Sequence, residues 1–189
     1  SRTFKVEAYR LPTFEVQVTG PTVARLDAPF SVKAIARYFA GGLVSGAPVQ
    51  WTITRRPTYH VPAGLDGFLF ASSTQFSRPG GPSGPQQTSV TGTLGDDGTQ
   101  TQQVNPAIDP DGTPRIYRFE ATVTGADDQQ VTSSTEVTAL PPFVLGLQVE
   151  RFLDGVKALE PRIVAVGVDD KPLAGQQVTV RLFRRVWNS

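Results

Sequence analysis

Alternation of apolar and polar residues dominates this chain. Phe4, Val6 and Ala8 are separated by polar neighbours, and so are Phe14, Val16 and Val18. Phe30, Val32, Ala34, Ala36 and Tyr38 form a longer alternating set, and Val49, Trp51 and Ile53 another. Tyr117, Phe119, Ala121 and Val123 repeat the pattern, while the stretches 88–94 and 131–137 are more polar and rich in Thr or Ser. A period of two sends successive side chains to opposite faces of a half-buried strand. Helical spacing is hard to find. A second series begins after Pro142: 144–149 and 163–168 are apolar runs, and Val178, Val180 and Leu182 alternate with Thr179, Arg181 and Phe183.

Turn residues punctuate these runs at Gly41-Gly42, Asp97-Gly98, Asp111-Gly112, Gly125 to Asp128 and Asp169-Asp170. Short strands separated this way predict an all-β fold of antiparallel sandwiches. Two joints interrupt the pattern, Arg10-Leu11-Pro12 and Leu140-Pro141-Pro142. Proline has no amide hydrogen to give a ladder, so it belongs at a break between strands. Between the joints lie about 130 residues, enough for a seven-stranded sandwich of about 100 residues plus an insertion. The insertion is expected at 77–87, SRPGGPSGPQQ, which is too rich in Gly and Pro to pack and reads as a surface loop.

The expected division is therefore threefold. Residues 1–11 read as the terminal strand of a preceding domain or a linker, 12–140 as one complete sandwich, and 141–189 as the N-terminal part of a following domain. The 47 residues after Pro142 are too few for another sandwich. Three strands alone would leave an open edge and a bare apolar face. That tail is expected to pack on the complete sandwich, to pair with another copy, or to be lost on proteolysis.

Composition adds exclusions. The 189 residues are 39% hydrophobic, enough for a core, and carry 18 basic against 17 acidic side chains. Such a balance provides no long-range field for nucleic acid or an anionic membrane. No apolar run approaches the roughly 20 residues a spanning helix needs, so direct membrane insertion is not expected. Cysteine is absent. Disulfides, thiolate metal sites and a cysteine nucleophile are thereby excluded within the chain, but the compartment stays open. A chain that begins Ser-Arg-Thr and contains no Met is expected to be a cut-out or processed piece of a larger product.

Candidate chemistry is sparse. The single histidine, His60, has Arg55, Arg56 and Tyr59 nearby in sequence and reads as a surface or turn residue beside a strand. No nucleophile elbow accompanies it. The stretch NPAIDPDGT at 105–113 places Asp109, Asp111 and Gly112 as a calcium loop would, but the further oxygen ligands are missing and a β-turn is expected instead. GDDGT at 95–99 reads as a hairpin turn. Trp51, Tyr59, Phe68, Phe70, Tyr117 and Phe119 could line a sugar-binding face; their phase favours the core. Arg184-Arg185 and Arg55-Arg56 read as solvated faces, and the loop at 77–87, with Arg78, as the first place a protease would cut. The placement of Trp187 has no argument from pattern. No residue is assigned to catalysis, to a cofactor or to a metal.

FKVEAYRLPTFEVQV at the start resembles a signature of the α2-macroglobulin and complement superfamily, an E-Y-x-x-P-x-F-x-V strand that closes one macroglobulin-like domain and opens the next. Tyr9, Pro12, Phe14, Glu15 and Val16 fit; Ala8 separates Glu7 from Tyr9, a one-residue departure. VKAIARYFAGGLVSGAPVQWTIT is similar to a strand, Gly turn and strand of the bacterial branch. In the tail, Asp169, Lys171, Pro172, Gly175 and Val178 match most of a D-x-x-G-K-P-x-x-G-x-x-V turn that opens a succeeding domain. The resemblance is weakest between residues 72 and 110.

What the resemblance implies is a structural, non-enzymatic role. The chain would be a fragment of a bacterial α2-macroglobulin-like, broad-range protease trap of the periplasm, whose parent is lipid-anchored to the inner membrane. In such a parent, cleavage of a bait triggers rearrangement and the protease is enclosed. A thioester needs a cysteine, so that chemistry lies outside these residues. The implied partners are target proteases, neighbouring macroglobulin-like domains of the same chain, and a cell-wall synthesis enzyme of the penicillin-binding type. The alternative is a carbohydrate-binding or adhesin-type module, which would show a row of exposed aromatics.

Overall fold

The computed structural model describes residues 11–70, 85–108, 112–150 and 159–183. Ten strands make up the described chain: β1 (Phe14–Thr19), β2 (Val23–Arg25), β3 (Phe30–Tyr38), β4 (Pro48–Pro57), β5 (Gln86–Thr93), β6 (Thr99–Val104), β7 (Arg115–Thr124), β8 (Gln130–Leu140), β9 (Phe143–Gln148) and β10 (Arg162–Gly167). They form a three-stranded sheet in the order β1-β3-β6, a five-stranded sheet in the order β2-β8-β7-β4-β5, and a separate β9-β10 pair. The first two face each other as a sandwich. All pairings are antiparallel except β2 with β8.

The expected alternation fills the space between the sheets. Phe14 and Val18 of β1 and Phe30, Val32, Ala34 and Ala36 of β3 are buried from one side. Val49 and Trp51 of β4, Tyr117, Phe119, Ala121 and Val123 of β7, and Val137 and Ala139 of β8 are buried from the other. Aromatic edges hold the centre: Phe30 meets Phe119 at 6.1 Å and Tyr117 at 5.6 Å, and Trp51 meets Phe119 at 6.4 Å, all near perpendicular. Such contacts add to the large apolar area each ring removes from water. The Trp51 indole N–H donates to the Gln100 side chain on β6, so its one polar group is satisfied across the sandwich.

Several expectations need correction. Among the described residues the sandwich has eight strands where seven were expected. The added one, β2, is three residues long, too short to show a period, and docks parallel to β8 through Leu26 N–H to Leu140 O at 2.7 Å. Gln86 and Gln87, expected in a loop, begin β5 and pair with Arg55 and Thr54; the loop's remaining positions 77–84 lie outside the described residues. The 95–99 segment is a turn but not a hairpin, because β5 pairs with β4 in one sheet and β6 with β3 in the other. The turn carries the chain between sheets.

That turn belongs to a recurring design. Gly95–Thr99, Gly125–Gln129 and Gly167–Lys171 share the form G-x-D-[GD]-x. In each the first amide donates to the fifth carbonyl, at 2.8, 2.8 and 2.9 Å, and the fourth amide donates back to the first carbonyl. The Asp at the third position accepts from the fifth amide. The fourth residue is left-handed: Gly98 at φ 64°, Asp128 at 60° and Asp170 at 59°. This is a type I turn closed by a left-handed residue, for which Gly, Asn and Asp are suited. Gly98 has no alternative, since a Cβ there would lie 2.9 Å from Ala36 O.

Thr99 donates to Asp97 from its hydroxyl at 2.7 Å and its amide at 3.0 Å, and these bonds hold the Asp97 carboxyl below the usual carboxylate range. A carboxyl depressed by folding stabilises above its unfolded value and loses that contribution as pH falls through the folded one. Asp97→Asn is expected to differ from the wild type at neutral pH and to converge with it below about pH 4, as followed by urea unfolding across pH. Trp51→Ala should cost about 3–5 kcal/mol in the same measurement, from lost burial and the cavity left behind.

Candidate functional site: the joints at either end of the sandwich

Both proline joints sit at ends of the sandwich, opposite one another along β8. Gln129, which closes the turn before β8, holds the leading joint. Its Oε1 accepts from Thr13 N at 3.1 Å, and its Nε2 donates to Leu11 O at 3.2 Å. One side-chain amide thus bonds backbone on both sides of Pro12, where the missing N–H prevents a ladder. Phe39 N adds a bond to Thr13 O at 3.1 Å.

At the trailing joint, β8 ends at Leu140 and β9 begins at Phe143, separated by Pro141 and Pro142. Leu140 and Pro141 are buried. The β9-β10 pair beyond them is covered by the segment 58–70, which leaves β4. Leu69 and Leu147 exchange two backbone hydrogen bonds, at 2.8 and 3.0 Å. The Phe70 ring lies so close to Gly146 that a Cβ there would meet it at 2.7 Å. Arg162 of β10 stands over Phe68, 6.0 Å from the ring centre.

His60 joins this contact. Its Nε2 lies 2.6 Å from Asp170 Oδ1, in the turn after β10, and Ala63 N donates to Asp170 Oδ2 at 3.4 Å. The sequence offered Arg55, Arg56 and Tyr59 as neighbours; the fold supplies Asp170 instead. In a catalytic triad Nε2 would face the nucleophile rather than the carboxylate. Among the described residues no three His, Cys, Asp or Glu side chains could together hold a metal ion. Asp109 and Asp111 lie outside the described residues; Gly112, at φ 64°, has the backbone of a turn.

The six aromatics divide by place. Trp51, Tyr117 and Phe119 are core, as their phase required. Phe68 and Phe70, also expected there, are half-buried against β9-β10, because segment 58–70 has left the sheet. Tyr59 is exposed. Arg56 pairs loosely with Glu136 at 3.8 Å. Arg78, Arg184, Arg185 and Trp187 lie outside the described residues. A cleft of about 280 Å³ opens where β5 and β6 diverge, floored by Ile53, Val90, Val104 and Tyr117 and rimmed by Gln86 and Gln102.

The alternating tail does not become a strand. Residues 176–183 have no ladder partner among the described residues, and Val180, Leu182 and Phe183 are 57%, 82% and 81% exposed. A strand is defined by its neighbour, and periodicity alone does not provide one. Leu145, Leu147 and Ile163 add exposed apolar surface on β9-β10.

Solved structures show where this architecture recurs. Native Escherichia coli α2-macroglobulin, determined by cryo-electron microscopy, superposes with a TM-score of 0.61 at 17% identity, over 88% of this chain and 11% of that one. The chain has the fold of a segment of bacterial α2-macroglobulin. The E. coli protein activated by porcine elastase gives 0.60 at 17% identity, over 84% and 14%. Salmonella α2-macroglobulin reacted with methylamine gives 0.60 at 15%, over 85% and 11%. At these identities the fold is what is shared, and the chain spans only 11–14% of the length of those it matches. No protein-family model matches the sequence, and no curated protein sequence does either.

Gln129→Ala is expected to destabilise the chain by about 1 kcal/mol, since it leaves two backbone groups to water. Hydrogen exchange at the Thr13 amide should rise with it while exchange within β7 does not.

Proposed function

We propose that this chain is a structural segment of a bacterial α2-macroglobulin-like protease trap. The observation that carries the reading is the match over 88% of the chain to 11% of a bacterial α2-macroglobulin. On this reading residues 1–11 end one macroglobulin-like domain, 12–140 form a complete one, and 141–189 begin the next. The sandwich then works as a rigid spacer. Its proline joints set the angles to its neighbours, and its contribution to trapping is mechanical. Exposed apolar positions on β9-β10 and at 180–183 are surface that further strands of the following domain would cover.

The parent would act in the periplasm, anchored by lipid to the inner membrane, and enclose proteases that cut its bait. Its partners would be those proteases, its own neighbouring domains and a penicillin-binding cell-wall enzyme. Matched structures of trypsin- and elastase-activated α2-macroglobulin support the choice of protease as ligand class.

Enclosure predicts a size-dependent effect. With the full-length protein in excess over trypsin, cleavage of a large protein substrate should fall at least tenfold while cleavage of a small chromogenic peptide persists. Equal rates on the large substrate with and without the protein would overturn the reading. Separately, Pro141→Gly with Pro142→Gly should broaden the angle between segments 12–140 and 141–189 in solution scattering of the parent; an unchanged angle would remove the prolines from the mechanism.

A further inference from the structure

We infer that segment 58–70 is a strap that fixes the seating of the β9-β10 pair against the sandwich, with His60 and Asp170 as its lock. The inference concerns seating alone and holds whether or not the parent traps proteases. Covalently, the pair hangs from β8 by Pro141 and Pro142, which supply no amide to a ladder. A body hung from one such joint can swivel. The strap removes that freedom by gripping two places: Leu147 on β9, through the paired backbone bonds from Leu69, and Asp170 in the turn after β10, through His60 and Ala63.

The strap is itself fixed at its start. Thr58 N donates to Pro114 O at 2.9 Å, and Pro62 is fully buried.

Asp170 is chosen for more than its turn. The left-handed position it occupies is filled by Gly98 in the equivalent turn at 95–99, and glycine takes that backbone without strain. Neighbouring Asp169 accepts from the Lys171 amide and lies 3.4 Å from Lys171 Nζ, and Asp170 contributes only its backbone amide, so the turn closes without the Asp170 side chain. The Asp170 carboxylate reaches out of its turn to a residue 110 positions away. The His60 and Asp170 side chains retain 22% and 36% exposure, so the pair can part into water. A half-exposed pair of this kind makes a releasable lock, unlike a fully buried one, whose opening would strand a charge.

The test is hydrogen exchange on the full chain. Asp170→Gly preserves the turn, and His60→Ala removes the other partner. Each should speed exchange at the Leu69 and Leu147 amides by about two- to fivefold, the range expected of a partly exposed pair, with the Gly167 amide unchanged in Asp170→Gly. The double variant should match the singles rather than multiply them. Since cysteine is absent, spin labels at Ser134→Cys and Glu150→Cys provide a second readout, and their distance distribution should widen in either variant. Unchanged exchange at both amides with an unchanged distribution, or independent multiplying effects in the double variant, would overturn the lock.

Discussion

Everything described here rests on two sheets burying alternate side chains against each other. Trp51, Phe119 and Phe30 meet edge to face at the centre, and the small Ala34, Ala36 and Ala121 lie on the same inner faces. A one-residue slip of any strand would turn its entire apolar set to solvent, so this packing fixes register throughout. The Trp51 indole nitrogen inserted there is bonded to the opposite sheet. An unmet donor at that point would cost more than the bond itself contributes.

A fixed register fixes the ends. With β7 and β8 paired from Arg115 with Ala139 to Thr124 with Gln130, the Gly125 turn must lie at one end and Leu140 at the other. The same five-residue turn then serves different purposes. At 95–99 it passes the chain between sheets; at 125–129 it closes a hairpin and presents Gln129 to the backbone around Pro12; at 167–171 it presents Asp170 to His60. Local backbone chemistry is constant, while the side chains at its last two positions are what the surroundings use.

Both joints solve one problem. Proline stops a sheet from running on, but it also removes the bonds that would orient the segments on either side. Polar side chains replace those bonds: the Gln129 amide at one end, the His60–Asp170 pair at the other. Such contacts lie partly in water and are individually weak.

The sequence by itself determined the class of fold, the inward residues of β1, β3, β4 and β7, and the break between β8 and β9, because a period of two and the chemistry of proline are local properties. Turn residues were equally plain, since left-handed backbone selects Gly and Asp wherever it occurs. Partners were not. Which sheet β5 and β6 would enter, the three-residue β2, the removal of Phe68 and Phe70 from the core, and the failure of 176–183 to find a neighbour all depend on contacts between distant segments. Gln129 drew no reading at all, Asp170 looked like a turn residue, and His60 like a surface one. Only the folded chain places them against backbone and side chains more than a hundred positions away, because the closure of a sandwich, not the spacing of its residues, decides what meets at its ends.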